Sequence, residues 1–267
     1  MRENRYLAKD SPDAFERERL AQLAQFADPI SIRRLTDLGV GSGWRCLEVG
    51  AGTGSVARWL AASVGPTGRV VATDLNPRFL LQDRLSNLEI RRHNILEDDL
   101  ESDYYDLVHC RALLMHLVDP IRALRRLLDA VRPGGWLLVE EADGSAAFGA
   151  VDPGHARAAR FDRSSRALWA ALKSTRTLDL DFGRRLPSLF ETLGVRHLGH
   201  EGVTLTGRGG DPMARFIQMT DELSRERFVA AGVLTEADFD ELNQACGDKS
   251  FWFVSFTLFG AWGRRAG

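Results

Sequence analysis

The stretch Leu47-Glu48-Val49-Gly50-Ala51-Gly52-Thr53-Gly54 constrains the fold more than any other part of the chain. Before it, Arg45 to Val49 is short and apolar, as expected of a buried strand. After it, Val56, Trp59, Leu60 and Val64 recur at helical spacing within Ser55 to Val64. Spaced glycines between a strand and a helix permit a tight turn and let a ligand approach the backbone with no Cβ in the way. Gly65-Pro66-Thr67-Gly68 breaks the helix, and Arg69 to Asp74 reads as the next strand. Asp74 ends that strand 20 residues after Gly54, where a carboxylate can accept hydrogen bonds from a ribose diol. A sheet that binds a nucleoside follows from this layout.

The alternation continues. Arg78 to Ser86 is expected to be helical, Leu88 to Arg92 and Tyr105 to Cys110 to be strands, and Ile121 to Val131 a helix stopped by Pro133-Gly134-Gly135. Trp136 to Glu141 reads as a fifth strand. Upstream, the spacing predicts a helix over 13–27 and a second over 29–39. Downstream it predicts helices over 154–173, 183–193, 211–230 and 235–246 and a strand over 196–206. The aromatic run from Ser250 to Trp262 closes as a strand, suited to a final antiparallel hairpin. The expected fold class is α/β: a Rossmann-like, seven-stranded, mostly parallel sheet with helices on both faces and a final antiparallel hairpin. Residues 1–40 are expected to form an N-terminal helical cap and 41–145 the nucleoside-binding core. Residues 146–267 complete the sheet, with helical lid insertions at 154–173 and 211–246.

Composition narrows the partners. The 267 residues carry a formal net charge of −2, and arginine pairs such as Arg125-Arg126 read as solvated helix faces. A small-molecule substrate fits this balance, and a nucleic acid does not. Cys46, Cys110 and Cys246 have neither disulfide nor zinc spacing, which suits a reducing cytoplasm. The charged start lacks a signal-peptide core, and no apolar run reaches a membrane span. No membrane partner is expected, and a monomer or homodimer suffices.

Two ligand classes share the strand–turn–helix layout. A pyrophosphate needs free helix N-terminal amides, and Glu48, two residues before Gly50, opposes it. The same anion suits a cationic amino-acid tail. A short-chain dehydrogenase needs Tyr-x-x-x-Lys, but the residues four after Tyr6, Tyr104 and Tyr105 are Asp10, Val108 and His109. Residues 44–141 then resemble the core of the class I S-adenosylmethionine (SAM)-dependent methyltransferases. The resemblance is carried by the glycine turn, Val70 to Asp74, His93-Asn94-Ile95, Tyr105 to Cys110 and Val131-Arg132-Pro133-Gly134-Gly135. The ending Phe259 to Arg264 also looks like the bacterial small-molecule group of that family.

The resemblance implies a cofactor, SAM, with its demethylated product S-adenosylhomocysteine (SAH), and a set of contacts. Gly50, Ala51 and Gly52 would lie against its methionine and ribose, and Glu48 would help hold the amino-acid end. Asp74 would bind the ribose hydroxyls and Leu75 would pack on the adenine. Asn94 and the amide of Ile95 would meet the adenine edge. The Cys110-Arg111-Ala112 backbone would reach the ammonium group, and Tyr6 with the first helix would fold over the cofactor.

Methyl transfer from a sulfonium is an in-line displacement, so alignment supplies much of the catalysis and a base is needed only when the acceptor must lose a proton. Candidates at the ends of the fourth and fifth strands are Arg111, His116, Glu140, Glu141 and Asp143. His116 and Glu141 are taken as catalytic, although His116 also reads as a cap or core histidine. Asp143 is taken as a substrate contact. No third ligand joins Glu141 and Asp143, so no metal is expected. Phe148, Phe161, Trp169, Phe216, Trp252 and Phe253 are read as shaping an apolar pocket, with Trp169 and Phe216 touching the substrate. The expected activity is methylation of a small, partly hydrophobic molecule, with oxygen favoured as the acceptor atom over nitrogen or carbon. Alternatives are a SAM-binding protein catalysing another reaction, or a protein or nucleic-acid methyltransferase. Against the last stand the near-neutral charge, the lack of an Asn/Asp-Pro-Pro-Tyr tetrad and the lack of paired catalytic cysteines.

Overall fold

The computed structural model describes residues 6, 8, 11–80, 85–144, 149–174 and 178–267. The elements run α1 (Asp13–Asp37), β1 (Arg45–Val49), α2 (Ser55–Val64), β2 (Arg69–Asp74), β3 (Leu88–Arg92), β4 (Tyr105–Arg111), α3 (Pro120–Ala130) and β5 (Val131–Asp143). There follow β6 (Gly149–Ala150), α4 (Ala158–Ser174), α5 (Phe182–Thr192), β7 (Arg196–Arg208), α6 (Pro212–Ala230), α7 (Glu236–Gly247) and β8 (Trp252–Arg264). Strands β3-β2-β1-β4-β5 are parallel neighbours in that order. β8 enters antiparallel beside β5, and β7 pairs antiparallel with its other edge. The seven expected strands are present, together with the two-residue β6, which pairs with β8 at Val254 and Phe253 beyond the last β5 partner, Thr257. Strand order reverses between β1 and β4, where open α/β sheets bind ligands at the carboxyl ends of their strands.

Alternation along the strands sorts the core. Leu47 and Val49 face one layer with Val108, Leu137 and Val139, packed by α3 and α5. Cys46, Leu107 and Leu138 face the other, against Leu35 of α1 and Val56 and Leu60 of α2. The in-register pairing of Glu48 with His109, and the position of Glu140 two residues beyond Leu138, set three ionisable groups on the α1 face. Glu141 turns to the opposite face by the same alternation.

The two helices expected over 13–27 and 29–39 are one. α1 continues through Pro29, although a proline inside a helix forfeits a backbone hydrogen bond and costs about 3 kcal/mol. Ala27, Ser31, Arg34 and Leu35 form one buried stripe across the proline, and burying it outweighs that cost. The helix expected from Arg78 starts instead as a single 3-10 turn, Pro77–Phe79; residues 81–84 lie outside the described residues. The fifth strand starts earlier than expected, at Val131, because β4 pairs Tyr105 with Val131 before a bulge. Among the described residues, no helix is long and apolar enough to cross a membrane.

Candidate active site

A cavity of about 1010 Å³ opens at the carboxyl ends of β1, β2 and β4 and runs under α1, α4 and α6. Drug-sized ligands occupy sites of roughly 300–1,000 Å³, so this volume suits a cofactor together with a second molecule. Its floor is the glycine turn. Gly50 and Ala51 donate their amides to the Thr73 carbonyl at 2.8 and 3.0 Å, and Gly54 donates to Ala51 at 2.7 Å, closing a tight loop. Gly50 has φ +74°, and a Cβ there would lie 3.2 Å from Leu113. Glycine is therefore required by both conformation and space.

Asp74 accepts from the Gly52 amide at 3.0 Å and from the Asn76 amide at 2.9 Å, which fixes its carboxylate at the cavity wall. Burial raises its pKa against those two amide bonds. A diol donating to the carboxylate would relieve that desolvation. Leu75 is 43% exposed at the wall beside it, an apolar surface available to a flat ring. Asn94 also lines the cavity; its Oδ1 accepts from the Leu96 amide at 3.1 Å and its Nδ2 donates to Glu97 at 3.0 Å. Ile95 is buried next to it.

At the other end of the floor, Glu48 and Arg111 line the cavity with opposite charges. Neither is free. Glu48 lies 2.5 Å from His109 Nδ1, and His109 Nε2 lies 3.1 Å from Glu140. Glu140 receives Arg34 Nη1 at 2.6 Å and the Ser31 hydroxyl. Arg111 donates to Ser31 at 2.8 Å and to Asp28 at 2.7 Å. A chain of charges thus links β1, β4 and β5 to α1. Burial alone would keep His109 neutral, but the two glutamates outweigh it and hold its pKa at about 9. Glu140 is pushed up by burial and pulled down further by His109 and the arginines, to about 2. His109 therefore supplies the cation this face needs. The opposite charges of Glu48 and Arg111, Asp74 at the next strand end and the glycine floor between fit the zwitterionic tail and ribose of SAM.

Tyr6 reaches the same space. Its hydroxyl donates to Glu16 and receives Arg19 Nη2 at 2.9 Å, while Arg19 also grips Glu16 through two bonds of 2.7 Å. The Tyr6 ring meets His116 edge-on at 5.2 Å. His116 sits at the end of the 3-10 turn Leu114–His116 and lines the cavity, with no hydrogen bond to Nδ1 among the described residues. Burial, helped by the Arg19 charge, lowers its pKa to about 3, so the ring is neutral.

Two residues read from the sequence as chemical groups are placed elsewhere. Glu141 is fully buried outside the cavity lining, where it accepts from the amides of Leu113, Leu114 and Met115 at 2.9, 2.7 and 3.2 Å. It caps the turn that carries His116. Burial raises its pKa to about 7 against those three amide bonds. Asp143 is 1% exposed, also outside the lining, and is held by the Arg184 guanidinium. Strand alternation turns both side chains under the loop and not into the space above it. Trp169 of α4 and Phe216 of α6 do line the cavity, whereas Phe161 and Phe253 are core residues and Trp252 is on the surface. Phe148 lies outside the described residues. A Cβ on Gly144 would fall 2.0 Å from the Trp169 ring, so that glycine leaves the indole the room it takes beside the end of β5. No metal-binding cluster of three or more His, Cys, Asp or Glu occurs among the described residues. The sequence reading missed Asp28, Ser31 and Arg34, which lie far from the motifs, and Asp221 of α6, which lines the cavity.

A family model described as a methyltransferase domain matches residues 6–224. Methyltransferase str2 of Strobilurus tenacellus is 37% identical over 119 residues, 44% of this chain and 42% of that protein. The ubiquinone/menaquinone biosynthesis C-methyltransferase UbiE of Pseudomonas entomophila (strain L48) is 34% identical over 111 residues, 39% of this chain and 43% of that protein. The matched segment is thus less than half of each of these relatives. In three dimensions the chain resembles Haemonchus contortus phosphoethanolamine N-methyltransferase 2, solved with phosphomonomethylethanolamine and SAH. The TM-score is 0.53 at 16% identity, over 94% of this chain and 52% of that one. The chain therefore belongs to the methyltransferase-domain family, that of the class I SAM-dependent methyltransferases.

Proposed function

We propose that the protein methylates an oxygen of a small, partly hydrophobic molecule. The observation that carries this reading is the continuity of the cavity from the glycine floor to an apolar wall formed by Trp169, Leu172, Phe216 and Ile217. In this reading α4, α6 and α7 are the lid. Asp74 takes the ribose hydroxyls, and Glu48 and Arg111 take the amino-acid end. When bound, SAM supplies a methyl group on a sulfonium, already activated for displacement. The protein's part is to align the acceptor and exclude water. Neutral His116 accepts a hydrogen bond from the acceptor hydroxyl and orients it, and in this reading receives the proton, which a weak base can take because methylation turns the hydroxyl into a strongly acidic oxonium.

Following label from methyl-labelled SAM into small-molecule extracts tests the activity. Label appearing only in protein or nucleic acid would overturn the reading. His116→Leu is expected to lower kcat by about 100-fold with SAH affinity retained, the size typical of losing one positioned proton-transfer group; equal turnover would remove His116 from the chemistry. For the cofactor, calorimetry of Asp74→Ala should show SAH binding weaker by roughly 1–3 kcal/mol, the cost of leaving buried polar groups unpaired. Unchanged affinity would refute the ribose placement.

A further inference from the structure

Asp221 is the ionisable group in the lid wall that the methyltransferase fold does not explain. It lies on α6, one residue after Thr220, and lines the cavity with Phe216, Ile217 and Leu242. Among the described residues its carboxyl makes no hydrogen bond or ion pair; only its backbone carbonyl is used, by Ser224 at 2.9 Å. The nearby cations are committed. Arg225 is turned to Glu236 and Asp240 at 2.8 and 2.7 Å, and Arg19 is held by Glu16. The charge acting on Asp221 is that of Glu222, which has the same sign. Ser165 of α4 adds a second unpaired polar atom to this wall, its Oγ buried without a partner.

An unpaired carboxylate in a largely apolar wall is costly, and burial raises the pKa of this half-buried group to about 8, so the protonated form is the main one at pH 7. A neutral carboxyl offers one O–H donor and a carbonyl acceptor. It matches a hydroxyl or carbonyl on a ligand, whereas an anionic head brought here would lose its water with no uncommitted cation in this wall to pair with it.

We propose that Asp221 is the specificity-determining residue of the acceptor site, and that it selects acceptors whose buried end carries an uncharged oxygen function over acceptors ending in a carboxylate or phosphate. This rests on the small-molecule reading above, and the test separates the two. Full-length protein saturated with SAH is titrated calorimetrically with three probes of one shape: 2-naphthol, 2-methylnaphthalene and 2-naphthoate. The expected result is that 2-naphthol binds about 10-fold tighter than 2-methylnaphthalene, roughly what one buried hydrogen bond contributes, and that 2-naphthoate binds weakest. Asp221→Leu should erase the preference for the hydroxyl, and Asp221→Asn, which keeps a donor and an acceptor, should retain it. Equal preference in wild type and Asp221→Leu, or tight binding of 2-naphthoate, overturns the proposal. SAH binding with no probe bound in any variant overturns the acceptor-site reading itself. Unaltered SAH affinity in both variants shows that they fold.

Discussion

At pH 7, His109→Gln is expected to be less stable than the wild type by roughly 3–5 kcal/mol, because it leaves Glu48 buried without its cation and Glu140 with Arg34 alone. The gap should narrow as pH rises. His109 has its pKa raised from 6.5 to about 9, so its contribution is fully present below pH 6.5 and is lost as pH passes through 9. At 1.36 kcal/mol per unit this amounts to about 3 kcal/mol. Glu141 and Asp221, which titrate near 7 and 8, are common to both proteins and cancel in the difference. Glu140 behaves in the opposite sense. Lowered from 4.5 to about 2, it stabilises the fold above pH 4.5 and ceases to as pH falls toward 2. Urea unfolding of both proteins at pH 6.5, 8 and 9.5 checks this. A wild type minus variant difference that stays constant across that range would mean that the ring is uncharged.

The second large effect lies on the opposite face of the sheet. Glu141→Ala strands three amides at once, those of Leu114 and Met115 buried and that of Leu113 partly so. Each unsatisfied amide costs about 1–3 kcal/mol, partly relieved where water enters, so a loss of roughly 3–5 kcal/mol in unfolding free energy is expected. Glu141→Gln keeps one carbonyl oxygen and should recover part of it. Because the turn carries His116, acceptor turnover should fall in the glutamine variant while SAH affinity is retained. Full stability in Glu141→Ala would show that water or another group caps the turn. Full turnover in Glu141→Gln would separate the cap from the chemistry.

How much of this was legible beforehand depends on the range of the interaction involved. The glycine turn, Asp74 and the order of strands are local patterns, and the structure reproduces them because strand–turn–helix geometry is set within a few residues. Glu48 was legible as an acid beside the turn but not as a partner of His109, since that contact spans 61 positions and depends on strand register. Glu141 and Asp143 were misplaced for a related reason. The residue order puts them at a strand end near the site, but which face each takes depends on where the bulge opposite Tyr105 sets the register. Pro29 reads locally as a break, and only the buried stripe from Ala27 to Leu35 reveals why the helix continues. Asp221 had no local signal at all. An aspartate within a long amphipathic helix looks solvated until the helix is seen covering a cavity.

The chain of buried charges from Glu48 to Arg34 and Asp28 also divides the molecule into parts with different freedom to vary. Exchanging a member removes a partner from its neighbours in the chain, so these residues are constrained as a set. Asp221 of α6 stands outside that chain, so under the proposed function its replacement changes the acceptor side of the cavity and leaves the linked charges intact.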